Sequence, residues 1–146
     1  MNNNDSVKVP ASHWIITGAA LLWNLMGLAL YVMGVSATPE QMAAQYSPEQ
    51  IALLEAVPAW ATSANAIAVN AGVIACILLL LRKSIALWLF VVSIAGLVVQ
   101  DINAFVLQET LGVFGMAPLY IQVTVLVVAI VMVIYSRRAT AGGLLN

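Results

Sequence analysis

The side chains best suited to bind a ligand are carboxamides, and they lie within long apolar segments of the sequence. Asn24 and Asn70 are near the middle of their segments, and four more amides lie toward one end of theirs: Asn65, Gln100, Asn103 and Gln122. A carboxamide both donates and accepts hydrogen bonds, so a group of them fits a hydroxylated or otherwise uncharged molecule. We therefore expect a pocket with Asn24 and Asn70 as its floor and the other amides as its lining. Trp23 or Trp60 is expected to supply an apolar wall.

The same amides also fit a purely structural interpretation, because they share helix faces with small residues. Three such stripes have helical spacing: Ala20, Asn24, Gly27, Tyr31 and Gly34; Ser93, Gly96, Gln100 and Asn103; and Ala64, Ala68, Gly72 and Cys76. Small residues let membrane helices approach closely, and each amide hydrogen bond across such a contact contributes about 0.6 kcal/mol. On this interpretation the stripes are packing seams, and the Gly/Ala ridges also favour assembly into an oligomer.

Asp101 is the one ionisable side chain inside these apolar segments. A carboxylate in such a position predicts proton coupling. The alternative is an acid that reaches the nearer membrane interface or is held by Gln100 and Asn103. His13 precedes the first segment as an interfacial residue, with a haem ligand or proton relay as the functional alternative. Cys76 is expected to be a small packing residue.

The composition excludes several classes of protein. Only 8% of the residues are charged and 63% are hydrophobic, with a mean hydropathy of +1.01, whereas about 25% of a soluble domain is charged. A soluble enzyme and a nucleic-acid-binding protein are therefore excluded. One His and one Cys do not form a metal site, and no nucleophile has a nearby base. We expect no catalytic residues, no metal and no cofactor.

Four apolar runs predict four membrane-spanning helices in a single membrane domain of residues 1–146, at about 14–35, 59–81, 85–107 and 118–135. Each run is close to the 20 or so residues that cross a bilayer as an α-helix. The basic residues fall on one side of such a chain, at Lys8, Arg82–Lys83 and Arg137–Arg138. The positive-inside rule makes that side cytoplasmic. The predicted fold is all-α, an integral membrane antiparallel four-helix bundle with both termini cytoplasmic.

The outer loop, residues 36–58, carries one helix-start pattern twice. In Thr38-Pro39-Glu40-Gln41 and Ser47-Pro48-Glu49-Gln50, a hydroxyl residue is followed by proline and, three positions on, by glutamine. Such a pattern predicts a capping box with proline at the first helical position, hence two short helices in the loop. Val35-Ser36-Ala37 leaves open a cleaved signal peptide. The segment Ala139 to Asn146 is expected to be a short tail.

Three segments carry a resemblance to a known family: Trp23-Asn24-Leu25-Met26-Gly27, Pro58-Ala59-Trp60-Ala61-Thr62 and Leu80-Leu81-Arg82-Lys83. Over about Trp14 to Arg138 the chain resembles small four-helix bacterial inner-membrane proteins that are loosely labelled "sugar transporter". The resemblance implies an inner-membrane location and a sugar-like solute. We thus expect an oligomeric carrier or binder of a small uncharged solute. The alternative is a non-catalytic accessory or structural subunit of a larger membrane complex. The expected partners are the lipid bilayer and either a second copy or another membrane protein.

Overall fold

The computed structural model describes residues 8–146, and this part of the chain contains helices but no strands. The long helices are α1 (Ala11–Val35), α4 (Ala59–Leu80), α5 (Ala86–Asp101) and α7 (Ala117–Ala141), and a π-helical segment, Ile102–Leu107, continues α5. With that segment counted as part of α5, these are four helices long and apolar enough to cross a membrane. The prediction of an all-helical chain with four such helices is confirmed.

The boundaries of the long helices differ modestly from the predicted ones. Helix α1 begins at Ala11 rather than Trp14, and α7 continues to Ala141 rather than ending at Tyr135. Both differences extend a helix beyond its apolar run, since helix formation depends on the backbone as well as on hydropathy. Helix boundaries are therefore less sharply encoded than the apolar runs.

Small residues allow α4 and α5 to pack closely along their length. A methyl group on Gly96 of α5 would lie 2.6 Å from the carbonyl oxygen of Ala64 and 3.0 Å from the Ala68 side chain. Ser93, one turn earlier, donates to the Ala68 carbonyl at 2.8 Å. The ridge Ala64–Ala68–Gly72–Cys76 is buried within the chain. It is a packing seam, as one interpretation predicted, and its burial leaves this ridge unavailable for joining copies of the chain.

The hydrophobic core lies toward the end of the molecule that carries Arg82–Lys83 and Arg137–Arg138, which we call the basic end. Its buried members come from all four long helices and the C-terminal segment: Ala20, Ala75, Cys76, Leu79, Ala86, Phe90, Met132, Ala139 and Leu145. The opposite end, which carries the connection 36–58, is called the loop end. There α1 has no buried residue beyond Ala20. The tightly packed part of the molecule is therefore at the basic end.

The expectation of a short tail over Ala139 to Asn146 is corrected: α7 continues to Ala141, and the residues after it contact the basic end. After α7 the chain turns back to the α4–α5 connection, where the Asn146 backbone N–H donates to the Arg82 carbonyl at 2.7 Å and the Asn146 carbonyl accepts from the Ser84 N–H at 2.8 Å. The Arg82 side chain donates to the Leu144 carbonyl at 2.8 Å. Arg82 has a φ of 58°, a left-handed conformation that a tight turn requires. These contacts attach the segment to the basic end.

Both predicted loop helices form. They are α2 (Pro39–Gln45) and α3 (Pro48–Glu55), each starting with a complete capping box and with proline in the first turn. A third short helix, α6 (Thr110–Phe114), lies in the other connection at the loop end. Tyr46 packs edge to face on Phe114, with ring centroids 6.1 Å apart. The two connections therefore pack on each other.

Candidate ligand-binding cleft

A cleft separates α1 from α7 and has α4 and α5 as its floor. Its α1 wall includes Trp23 and Gly27, and its α7 wall includes Val125 and Ala129. The cleft has a volume of about 140 Å³. It exists because α1 packs on α4 and α7 packs on α5, with few contacts between α1 and α7 themselves. Of the polar residues predicted to line a pocket, Asn24 alone reaches this space.

His13 joins α1, α4 and α7 at the basic end, which holds α1 and α7 together on that side of the cleft. Its Nδ1 lies 2.7 Å from the Tyr135 hydroxyl on α7, and its Nε2 lies 3.2 Å from the Leu79 carbonyl on α4. The carbonyl only accepts, so Nε2 carries a proton, and in a neutral imidazole ring Nδ1 then accepts from the Tyr135 hydroxyl. The side chain is 0% exposed, which corrects the expectation of an interfacial histidine. The burial of His13 was not predicted, because a position just before an apolar run does not indicate which helices surround the side chain.

The polar part of the cleft floor is formed by Asn24 and Ser93. The Asn24 amide donates to the Ala20 carbonyl at 2.8 Å and to the Cys76 sulfur at 3.4 Å. The Ser93 hydroxyl donates to the Ala68 carbonyl. Because these donors are used within the chain, the atoms left for a ligand are oxygen acceptors. The floor therefore matches a molecule that brings a hydroxyl or N–H donor.

Gly72 makes this arrangement possible. A methyl group at this position would overlap the Asn24 amide oxygen and would lie 3.5 Å from the Ser93 hydroxyl. The amide can lie against α4 only because residue 72 has no side chain. Gly72 is therefore both a member of the small-residue ridge of α4 and the residue that leaves room for the Asn24 amide.

A second polar cluster lies at the loop end, outside the cleft. Asn103 is 4% exposed, and its amide donates to the Gln108 side chain at 2.9 Å. Gln108 in turn donates to the Leu53 carbonyl of α3 at 3.5 Å. Gln108 was missed because it follows the apolar run. The π-helical turn between Asn103 and Gln108, which brings the two amides together, leaves no sequence pattern. This chain of contacts attaches α3 to the end of α5.

Asp101 and Gln122 form a third polar contact, between α5 and α7. The Gln122 amide donates to the Asp101 carboxylate. The pair lies in an open groove of about 320 Å³ that is otherwise apolar, with Phe105 and Leu126 among its lining residues. Gln122 of α7 is therefore the hydrogen-bond partner of Asp101. The alternative interpretation had named Gln100 and Asn103 as its partners, and the structure gives Asp101 no hydrogen bond to either of them.

The remaining predicted site residues do not join Asn24. Asn70 is exposed on α4, and its amide donates to the Ala66 carbonyl of its own helix at 2.8 Å. Trp60 is 48% exposed at the start of α4. Asn65 is half-buried, and the buried Oε1 of Gln100 has no hydrogen-bond partner within residues 8–146. The expected floor of Asn24 with Asn70 does not form, because the two residues lie on opposite sides of the α4 axis: Asn70 is about 160° around the helix from Gly72, on which Asn24 rests.

No three His, Cys, Asp or Glu side chains come together as a metal site anywhere in residues 8–146. Comparison of the chain with protein-family models, with curated proteins and with solved structures finds no match. The resemblance given by the segments around Trp23, Trp60 and Arg82 therefore stays a prediction.

Proposed function

We propose that the four long helices cross the bacterial inner membrane as an antiparallel bundle, with both termini and the basic end in the cytoplasm. The helices have the length and hydropathy that a crossing requires. The charges of the segments that connect the helices support a cytoplasmic basic end. Arg82 and Lys83 lie at that end, and acidic residues lie in the connections at the opposite end, at Glu40, Glu49 and Glu109. In this orientation the cleft is closed toward the cytoplasm and opens in the outer half of the bilayer.

Within that membrane, the function supported best is binding of a small uncharged molecule in the cleft between α1 and α7. The observation that carries this proposal is the floor of the cleft, where Asn24 and Ser93 offer acceptor oxygens among apolar walls. A polar acceptor at the bottom of an apolar cleft orients a ligand by its donor group. Binding is the first step of a carrier cycle, so the same site serves the expected carrier function.

The size of the cleft restricts the ligand. About 140 Å³ is close to the roughly 150 Å³ of an apolar cavity that accepts benzene, and below the 300 Å³ or more of most small-molecule pockets. A compact, mainly apolar molecule with one hydroxyl fits these dimensions. A sugar-like solute needs a wider cleft, which α1 would provide by moving away from α7 at the loop end.

Proton coupling through Asp101 is a separate part of the carrier hypothesis. The carboxylate lies in the open groove between α5 and α7, outside the cleft, and Gln122 donates to it. A carrier driven by this group would lose coupling when Asp101 is replaced by Asn, whereas binding in the cleft would persist. Solute uptake by vesicles under an imposed proton gradient measures this, and unchanged uptake in Asp101→Asn removes the coupling role.

An accessory subunit is the second candidate function, and the pairing of polar side chains favours it. Asn103 with Gln108, and Asp101 with Gln122, form contacts that hold elements of this chain together. A subunit that stabilises a larger complex needs such a rigid interior and no ligand. Failure of the cleft to bind any small molecule, together with stable copurification of one membrane partner, supports this candidate over the first.

Binding is tested with 4-bromophenol, a benzene-sized molecule with one hydroxyl, in phosphatidylethanolamine–phosphatidylglycerol nanodiscs. Bromine quenches tryptophan fluorescence, and Trp23 lines the cleft. A variant that retains Trp23 and carries phenylalanine in place of Trp14, Trp60 and Trp88 reports on that site alone. We expect saturable quenching by 4-bromophenol and only linear, partition-driven quenching by bromobenzene, which has no hydroxyl.

Two matched variants decide whether the cleft is responsible. Asn24→Leu removes the acceptor on the floor, and loss of a hydrogen bond worth about 1 kcal/mol weakens binding roughly fivefold. Asn70→Leu makes the same substitution on the opposite side of α4, outside the cleft, and is expected to bind as the parent does. Equal binding by Asn24→Leu and the parent, with both folded by circular dichroism, would refute the proposal.

A further inference from the structure

A continuous stripe of exposed residues runs along the side of α4 that faces away from the other helices. Its members, which we call the α4 seam, are Trp60, Ser63, Ile67, Asn70, Ile74 and Ile77, and all six are exposed. Their spacing alternates between three and four residues, which is the spacing of the contact positions in a left-handed pair of helices. Most helix pairs in membranes cross with this geometry.

Apolar residues in such a stripe need no partner in a membrane, because lipid covers them, but Asn70 does. It lies at the midpoint of α4, the place in a membrane crossing that is farthest from water. One amide proton is donated to the Ala66 carbonyl. Within residues 8–146 the second proton and the Oδ1 atom make no hydrogen bond. An amide with an open donor and an open acceptor is costly in hydrocarbon, so this side chain indicates that a polar group covers it.

Thr124, another exposed polar residue within a long helix, shows the contrast. Thr124 of α7 has one hydroxyl proton, and it donates that proton to the Tyr120 carbonyl at 2.8 Å. Its only donor is thereby satisfied by its own helix, so it can face lipid. A carboxamide has two amide protons and a carbonyl oxygen, and the single bond to Ala66 leaves Asn70 incompletely paired.

We propose that a second copy of this chain covers the α4 seam, with the two Asn70 amides donating to each other across a two-fold axis. The inference rests on the membrane orientation proposed above and not on the ligand cleft. All copies insert the same way, so their Asn70 side chains lie at the same depth. Each amide offers the donor and the acceptor that the other lacks. Ile67 and Ile74, one on each side of Asn70, pack against the same residues of the second copy.

The hydrogen-bonding pattern favours a second copy over a different partner because the α4 seam is complementary to itself. Asn70 is the polar residue at the centre of the seam, since Ser63 and Trp60 lie in its first turns at the loop end. A polar residue at one contact position of an otherwise apolar heptad stripe sets the register and number of the helices that pair. In a symmetric pair that register brings Asn70 to Asn70, with no change in depth. The Ala64–Ala68–Gly72–Cys76 ridge, which the sequence had indicated for assembly, is occupied by α1 and α5 within one chain.

The pairing is tested by cysteine cross-linking of the full chain in phosphatidylethanolamine–phosphatidylglycerol vesicles. Cys76 is first replaced by Ser, which keeps an acceptor for the Asn24 amide. Ile67→Cys then places a thiol on the seam, and Val131→Cys places one on α7. The two positions are equally exposed, at 54% each, so random collisions cross-link them equally. We expect oxidation to convert Ile67→Cys to a covalent dimer at least tenfold faster than Val131→Cys.

Substitution of Asn70 then tests the amide pair itself. In the Ile67→Cys background, Asn70→Leu is expected to weaken dimerisation about tenfold, the amount that two interhelical amide hydrogen bonds supply. Asn70→Gln retains an amide and is expected to retain most of the cross-linking. Thr124→Val, an exposed polar residue outside the seam, is the matched control and leaves the rate unchanged.

Each other outcome contradicts the proposal. Equal cross-linking at residues 67 and 131 means collision without a specific interface, and absence of cross-linking at both means a monomer. Rapid cross-linking at residue 67 that Asn70→Leu leaves unchanged means that the amides do not pair. None of these results bears on 4-bromophenol quenching of Trp23. The proposal of a dimer through the α4 seam and the proposal of ligand binding in the cleft are therefore tested independently.

Discussion

At the basic end, one buried histidine joins α1, α4 and α7, and the C-terminal residues fasten the α4–α5 turn. At the loop end the polar contacts join α5 to α7 and α5 to α3, and none of those given by the structure holds α1. The hydrophobic core follows the same division, since its buried members lie mostly toward the basic end. Helix α1 is therefore fixed at one end only.

The difference indicates where this molecule can change shape. Movement of α1 at the loop end breaks few contacts, whereas movement at the basic end breaks the hydrogen bonds of His13 and exposes core residues. Regions with few buried contacts open at low free-energy cost, and ligand-binding elements are drawn from them. The cleft between α1 and α7 opens toward the end at which α1 has no buried residue.

The largest expected effect comes from truncating an aromatic ring at each end. Phe90 is 2% exposed in the core, so Phe90→Ala leaves a cavity and is expected to lower the free energy of unfolding by about 3 kcal/mol. Phe105 is half-buried at the loop end, so Phe105→Ala should cost less than about 1 kcal/mol. Detergent-titration unfolding followed by circular dichroism measures both. Equal losses would show that the two ends contribute equally to stability.

A smaller effect is expected from the polar contacts that hold each end. His13→Ala removes the partner of the Tyr135 hydroxyl and one of the two donors to the Leu79 carbonyl, which keeps the Arg82 N–H. Loss of these two hydrogen bonds costs about 2 kcal/mol. Asn103→Ala removes one hydrogen bond at the loop end, which costs about 1 kcal/mol. The same unfolding titration compares them, with His13→Gln as a variant that restores part of the hydrogen bonding. A larger loss for Asn103→Ala than for His13→Ala would reverse the comparison.

The smallest effect is local to the outer connection. Thr38→Ala removes the capping box of α2 and is expected to destabilise that helix by about 1 kcal/mol without changing the unfolding of the long helices. Hydrogen bonds to the backbone and to the Thr38 side chain lower the pKa of Glu40 from its ordinary value of 4.5. The ionised form is thereby favoured in the folded state. Its contribution is present above pH 4.5 and is lost as the pH falls through the lowered pKa.

Hydrogen exchange of the α2 amides measures both effects. Protection should fall in Thr38→Ala at neutral pH and in the parent at acid pH, while the amides of α4 stay protected. Acid-insensitive exchange in α2 would contradict the role of Glu40. A loss of protection in α4 as well would show that the loop helices and the core unfold together.

Local features of this fold could be predicted from the sequence because their causes lie within a few residues. Both capping boxes, at Thr38 and Ser47, place all their hydrogen-bonding groups within four consecutive positions. The faces of α4 and α5 that pack on each other were also predictable. Small residues recur at helical spacing on each helix, at Ala68 and its neighbours on α4 and at Gly96 and its neighbours on α5, and such faces allow close approach. Helix α6 was missed because its five residues include a glycine and its N-cap, Glu109, forms no side-chain cap.

The candidate site was predicted only in part, because helical spacing gives the direction of a side chain but not the neighbour that it meets. Asn24 reaches the cleft, whereas Asn70, at the same depth and of the same residue type, lies on the opposite side of α4. One interpretation named Gln100 and Asn103, which are close in sequence, as the partners of Asp101, whereas the structure pairs it with Gln122 on another helix. Contacts between distant residues require knowledge of the rotation of each helix.

The amino-acid sequence by itself determined that this protein has four long apolar helices with charged connections, because hydropathy and charge are sums over neighbouring residues. It also determined the two capped helices of the loop. Tertiary structure alone decided that His13 is buried among three helices and that residues 144–146 return to the α4–α5 turn. It also decided that Asn24 and Asn70 lie on opposite sides of α4. Each of these depends on how the helices rotate and pack, and in an apolar chain many rotations bury similar surface, so that small residues and a few polar contacts make the choice.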